Sequence, residues 1–145
     1  MELREIRKEE LGALLTLYTQ LHANTMPRLD DGLLRLWDAI CEDNNHHIIV
    51  AVENEQLRSS CVLLIVPNLT HSQRPYALIE NVITDPAYRN RGLASSCLAY
   101  AKQIAAAQDC YKIMLMTGSK EEQTLRFYRK AGYNSADKTA FVQWL

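Results

Sequence analysis

The chain has no surplus of charge of either sign: sixteen lysines and arginines meet seventeen aspartates and glutamates, a formal net charge of −1. No bulk field therefore draws it to nucleic acid or to an anionic membrane surface, and any anion site has to be local. Long hydrophobic runs are missing too. No stretch approaches the length of a membrane span, and Met1-Glu2-Leu3-Arg4-Glu5 carries charges where a signal peptide would be apolar, so a cytoplasmic protein is expected. Cysteine is scarce and scattered: Cys41, Cys61, Cys97 and Cys110 form no CxxC pair and read as small buried side chains in a reducing compartment. His46-His47 has no cysteine or further histidine at ligand spacing, so no metal is expected. Length excludes two ordinary domains, since 145 residues, 48% of them apolar, fill one core.

What is present reads as an ordered series of elements. Leu3 to Ile6 is a short strand, and Leu11, Leu14, Leu15, Tyr18 and Leu21 then recur at helical spacing. Asn24 to Pro27 interrupts, after which Asp30 or Asp31 caps a second helix with Leu33, Leu34, Trp37, Ile40 and Cys41 on one face. His47–Glu53 and Leu57–Val66 are β-rich runs joined by the tight turn Glu53-Asn54-Glu55-Gln56. Tyr76–Thr84 is a further strand, and from Gly92 a helix places Leu93, Cys97 and Ile104 on one face. Lys112–Thr117 is expected as a strand, Glu121–Ala131 as a helix stopped by Gly132, and Thr139–Leu145 as a final strand. The order β-α-α-β-β-β-α-β-α-β makes an α/β sandwich with a mixed sheet, because hairpins and a helical crossover both occur.

Between the strand ending at Thr84 and the helix beginning at Gly92 runs Asp85-Pro86-Ala87-Tyr88-Arg89-Asn90-Arg91. A helix start presents backbone N–H groups without intrahelical partners together with the positive end of the dipole, which suits phosphate oxygens. Gly92 lets an anion approach the backbone, Ala94 keeps the helix start uncrowded, and Arg89 and Arg91 add charge. Neither the three glycines of a dinucleotide fingerprint nor the Gly-Lys-Ser/Thr of a Walker loop is here.

Arg89, Gly92 and Ala94 resemble the Arg/Gln-x-x-Gly-x-Gly/Ala motif of the GNAT acetyltransferases, and Arg126-Phe127-Tyr128-Arg129-Lys130-Ala131-Gly132-Tyr133 resembles that family's Leu-Tyr-Glu-Lys-x-Gly-Phe segment. The resemblance covers Glu80 to Tyr133 with specific motifs and the first 75 residues by element order alone. It implies a single-domain, three-layer α/β sandwich with a mixed, mostly antiparallel sheet, and acetyl-CoA as cosubstrate. It further implies that Val82, Ile83 and Thr84 offer backbone groups to the pantetheine arm, and that Arg89, Asn90, Arg91, Gly92, Leu93, Ala94 and Ser95 wrap the diphosphate. The family's asparagine before the tyrosine helix is absent, with Glu121 or Thr124 in its place, and Arg129 replaces the family's glutamate, where it meets a CoA phosphate or solvent.

Acetyl transfer to a primary amine requires a neutral nucleophile, a stabilised tetrahedral intermediate and a proton for the departing thiolate. Tyr128 is the candidate acid, since a phenol of pKa about 10 can protonate a thiolate placed close by. Glu80 alternates with Leu78 and Val82, so burial on an apolar face would tune it as a base, directly or through water; a strand-end carboxylate paired with an arginine is the competing reading. Asn81 faces the other way unless a bulge re-aims it. The acceptor is expected against the first two helices and the following loops, with Tyr18, Met26 and Leu29 foremost and His22, Arg28 and Trp37 beside them. Glu80-Asn81 and Cys110-Tyr111-Lys112-Ile113 also look like the small sugar-phosphate acetyltransferases of the superfamily, one option beside polyamine, aminoglycoside, aminophosphonate and peptide acceptors. The cysteines supply no evident nucleophile, which favours direct transfer in a ternary complex. An acyl-CoA-binding sensor without turnover and an interaction module pairing through Thr139–Leu145 are the alternatives, and a homodimer is expected through that terminal strand.

Overall fold

The computed structural model describes residues 1–21 and 24–145. Strand β1 (Glu2–Glu5) leads through a 3-10 turn, Lys8–Glu10, into α1 (Leu11–Tyr18) and α2 (Asp31–Glu42). Strands β2 (His46–Glu53), β3 (Gln56–Val66) and β4 (Tyr76–Thr84) follow, then a 3-10 turn at Pro86–Tyr88, α3 (Leu93–Ala107), β5 (Ile113–Leu115) and α4 (Glu122–Lys130). The five strands lie in one sheet in chain order, antiparallel from β1 to β4, with β5 parallel to β4 across the α3 crossover.

Local chemistry sets several of these boundaries. Asp30 accepts from the Leu33 N–H at 2.9 Å and caps α2. Asn54 and Glu55, with φ of 51° and 61°, make the two-residue turn between β2 and β3; paired positive φ is what matches the twist of the flanking strands. Trp37 donates to the Lys8 carbonyl at 2.9 Å, tying α2 to the segment before α1.

The alternating faces of the sheet build two cores. Ile49, Ala51, Cys61, Leu63, Ile65, Ala77 and Ile79 pack under α3 with Leu93, Cys97, Leu98 and Ala101, while Phe127 and Tyr128 of α4 add half-buried rings. On the opposite face Ile48, Val50, Val52 and Val62 meet Leu14 and Trp37 of α1 and α2. The result is helices, sheet, helices.

Three expectations are corrected. Residues 139–145 form no strand: Phe141 and Trp144 are each 91% exposed, because a strand-prone segment stays irregular until an edge pairs with it. The strand expected at 112–117 shortens to Ile113–Leu115, since its pairing with β4 stops at Ile79. The first helix begins as a 3-10 turn and its α-helical part ends at Tyr18, short of Leu21.

Candidate active site

β4 is irregular where it matters. Val62 pairs with Glu80 and Ser60 with Ile83, so two steps along β3 answer three along β4, a bulge at Asn81-Val82. Asn81 takes φ of 50°, a left-handed conformation that asparagine tolerates better than most residues. The bulge overturns the expected alternation. Val82 turns to the α3 face and packs on its core, while Asn81 joins the α1/α2 face beside Tyr18 and Val62. Glu80, paired with Val62, is exposed, so the burial expected to tune its carboxyl is missing.

The same irregularity opens an edge. β5 pairs only with Ala77, Leu78 and Ile79, whereas β4 runs on to Thr84, so among the described residues no strand pairs with Val82, Ile83 and Thr84 on the β5 side. Their other edge is held by β3, where Ser59 donates to the Ile83 carbonyl at 2.8 Å. A rigid strand with one free edge is a template for an extended polyamide chain.

This edge runs directly into the arginine loop. Asp85 accepts from Ala87 N–H at 3.0 Å, capping the turn that opens with Pro86, and pairs with Arg58 at 2.8 Å. The Arg58 guanidinium lies 4.1 Å from the Tyr88 ring centroid and that of Arg91 4.9 Å, while Arg91 also pairs at 3.1 Å with Glu53 at the end of β2. Arg89 is exposed and donates to the Thr84 carbonyl only at a long 3.5 Å. Asn90 and Gly92 adopt φ of 60° and 81°, and Gly92 is the N-cap of α3. A Cβ at Gly92 would meet nothing within 4 Å, so the requirement for glycine there is the positive φ rather than crowding. Leu93 is buried in the core and offers this site only its backbone, Ala94 is half-buried and Ser95 exposed.

Tyr128 is half-buried on α4, 4.9 Å from the Phe127 ring and 6.4 Å from that of Tyr133, with its pKa raised chiefly by burial. It belongs to the same face as Val82, opposite the face of Asn81. Arg129 points elsewhere, paired with Glu122 at 2.9 Å. Cys61 and Cys97 are fully buried.

On the acceptor side the expectations divide. Tyr18 is largely buried, its pKa pushed up to about 12 by burial; its hydroxyl lies beside Ser60 and Asn81 without hydrogen-bond geometry to either, and Ser60 Oγ is likewise buried without a partner. Met26 and Leu29, 49% and 56% exposed, lie on the loop before α2, Arg28 is exposed there too, and His22 falls outside the described residues. Sequence reasoning missed Arg58 and Ser60, whose significance comes from cross-strand neighbours that no local pattern marks. Among the described residues no group of histidine, cysteine or acidic side chains is placed to hold a metal, and no helix is long and apolar enough to cross a membrane.

Comparison with known proteins agrees with this geometry. The profile of the acetyltransferase (GNAT) family matches residues 8–133. A glucosamine 6-phosphate N-acetyltransferase of Trypanosoma brucei brucei is 33% identical over 79 residues, 54% of this chain and 52% of that protein, so the match spans about half of the curated relative. Among solved structures, an Agrobacterium tumefaciens str. C58 protein provisionally described as an acetyltransferase superposes with a TM-score of 0.91 at 33% identity, over 99% of this chain and 100% of that one. An acetyltransferase of Trypanosoma brucei superposes with a TM-score of 0.83 at 26% identity over 99% of both chains. With the family profile spanning most of the sequence and the same fold recurring over whole chains, this protein belongs to the GNAT acetyltransferase family.

Proposed function

We propose that the protein transfers an acetyl group from acetyl-CoA to a primary amine by direct attack, with both substrates bound at once. The observation that carries this reading is the free edge of β4: pairing with β5 ends at Ile79, and the strand continues to Thr84 and into the loop that ends at Gly92. Backbone groups of Val82, Ile83 and Thr84 would hold the pantetheine amides, and the N–H groups of Leu93, Ala94 and Ser95, with Arg89 and Arg91, the diphosphate. Asn90 and Gly92 supply the positive-φ backbone that aims those N–H groups outward. Arg129 would serve only by exchanging Glu122 for a CoA phosphate.

In the proposed chemistry the amine nitrogen forms a bond to the acetyl carbon, and the carbon–sulfur bond breaks as the tetrahedral intermediate collapses. Glu80, on the α1/α2 side of the bulge, takes the amine proton through water; backbone N–H at Val82 or Ile83 meets the oxyanion; Tyr128, on the α3 side, protonates the sulfur. Acid and base thus approach from opposite faces of the sheet. The buried Cys61 and Cys97 are poorly placed for a covalent acetyl intermediate. The trypanosomal relative is named for glucosamine 6-phosphate, an acceptor that would call for a phosphate site here as well. A homodimer through residues 139–145 belongs to the same proposal.

Calorimetric titration of acetyl-CoA into the wild type and into an Arg89→Ala/Gly92→Asp variant, followed by thiol release over an amine panel, tests it. Saturable binding lost in the variant, with turnover of at least one amine, is the expected result. Binding without turnover would leave an acyl-CoA sensor, and absence of wild-type binding would overturn the reading.

A further inference from the structure

On the α1/α2 side of the sheet lies a cleft of about 190 Å³. Aliphatic side chains from both helices and from the sheet make its walls with Trp37 and Val62, and among the described residues the only polar ones on it are Tyr18, His46 and Asn81. Among the described residues no lysine, arginine, aspartate or glutamate lines it. His46 is itself kept neutral at pH 7, because burial lowers its pKa. Glu5, Lys8 and Glu42 belong to an adjoining cleft beyond Trp37, where Asp38 engages Lys8 at 2.6 Å.

Asn81 fixes where the cleft leads. It precedes Val82, where the pantetheine arm is proposed to run, so an occupant of the cleft that reaches Asn81 lies one residue from that edge. Close to Asn81 two buried polar atoms lack partners, Tyr18 Oη and Ser60 Oγ. An apolar cleft whose few polar groups, Tyr18, His46 and Asn81, carry no fixed charge fits a molecule with an apolar body and one amine.

We propose that this cleft is the acceptor subsite and that its amine is borne on a small, otherwise uncharged apolar body: a single aromatic ring or an alkyl chain of like volume. The inference rests on the acetyltransferase reading and names its substrate class. Size supports it, since apolar cavities of about 150 Å³ accept benzene. Charge supports it too. A sugar phosphate brings a dianion that requires cations or several N–H donors, and a polycationic aminoglycoside requires carboxylates; the cleft has neither.

Thiol release with product mass identification should be measured for 2-phenylethylamine, a butylamine-to-hexylamine series, glucosamine 6-phosphate and kanamycin. Phenylethylamine should exceed the sugar acceptors in kcat/KM by at least about tenfold, and each added methylene should raise kcat/KM by about fourfold until the cleft is full. Leu36→Asp places a carboxylate on the cleft at a residue already 56% exposed, where folding tolerates it, and should depress phenylethylamine turnover while leaving acetyl-CoA affinity unchanged. Binding is read separately from turnover by titrating phenylethylamine against Trp37 fluorescence in a Trp144→Phe background with CoA present. Saturable quenching with no turnover of any amine would sink the transferase reading and with it the acceptor role, leaving the cleft as a binding site for apolar amines. Preference for glucosamine 6-phosphate or kanamycin, a flat alkyl series, or absence of quenching would overturn the assignment.

Discussion

A phenol buried enough to resist ionisation keeps its proton well above neutral pH, and Tyr128 is such a phenol, its pKa raised above the ordinary tyrosine value of 10.0. As the proposed acid it is therefore protonated throughout the physiological range, so it should impose no alkaline limb on kcat below about pH 10. Tyr128→Phe should lower kcat by about 10²-fold with little change in acetyl-CoA affinity, and thiol-release kinetics beside calorimetry will separate the two. Glu80→Gln should cost less, roughly tenfold, because an exposed carboxylate shares its task with water. Tyr18 presents the opposite balance. Its hydroxyl is buried without a partner, so Tyr18→Phe removes an unpaid desolvation and should stabilise the protein at pH 7 by about 1 kcal/mol, seen as a raised melting temperature. Tyr18 and Tyr133 both have folded-state pKa values of about 12, above the unfolded value of 10. Their contribution is fully present below pH 10 and is lost as pH climbs toward 12, and Tyr18→Phe should flatten that alkaline decline in stability-versus-pH melts.

At the scale of elements, the bulge in β4 controls both the free edge and the direction of its side chains. Asn81→Val puts a β-branched residue at φ of 50°, a strain of about 1–2 kcal/mol, whereas Asn81→Gly relieves it. The valine variant should melt lower and bind acetyl-CoA more weakly, and the glycine variant should retain that binding; equal affinity in both would separate the bulge from the cofactor edge. The arginine loop has a comparable support in Arg58, which holds Asp85 and stacks on Tyr88. Much of this level was legible in the sequence. The hairpin at Asn54-Glu55, a cap at Asp30 or Asp31 and the start of α3 at Gly92 are written in residues next to one another, and the structure forms each of them, with Asp30 as the cap. The turn of Val82 to the other face was not legible, because strand alternation assumes an unbroken pleat and the extra residue is visible only against β3. Arg58 and Asp85 are 27 residues apart, and nothing local to either predicts the other.

For the molecule as a whole, the unresolved element of the design is the end of the chain. Asn134 accepts from the N–H groups of Ala136 and Asp137, each at 3.1 Å, a defined turn just before residues 139–145. Phe141, Val142, Trp144 and Leu145 are all exposed, and among the described residues β5, every one of its residues half-buried, pairs with β4 alone. One chain thus has an unpaired strand-prone segment and an unpaired edge, and two copies can satisfy both needs by symmetric exchange. Each aromatic buries about 150–250 Å², so two tails bring roughly 600–1,000 Å² from Phe141 and Trp144, and Val142, Leu145 and the strand backbone raise this toward the ~1,200–2,000 Å² of a stable interface. Light scattering coupled to gel filtration should find a dimer for the full chain and a monomer after removal of 139–145, with acetyl-CoA binding preserved in both because the β4 edge and the α3 start lie outside the tail. Trp144 fluorescence should shift to the red when the full chain is diluted below its dissociation constant. A truncated chain that stays dimeric would move the interface elsewhere, and a full chain that is monomeric at every concentration would mean that the tail folds back on its own β5 or stays in solvent, outcomes that Trp144 quenching by iodide tells apart.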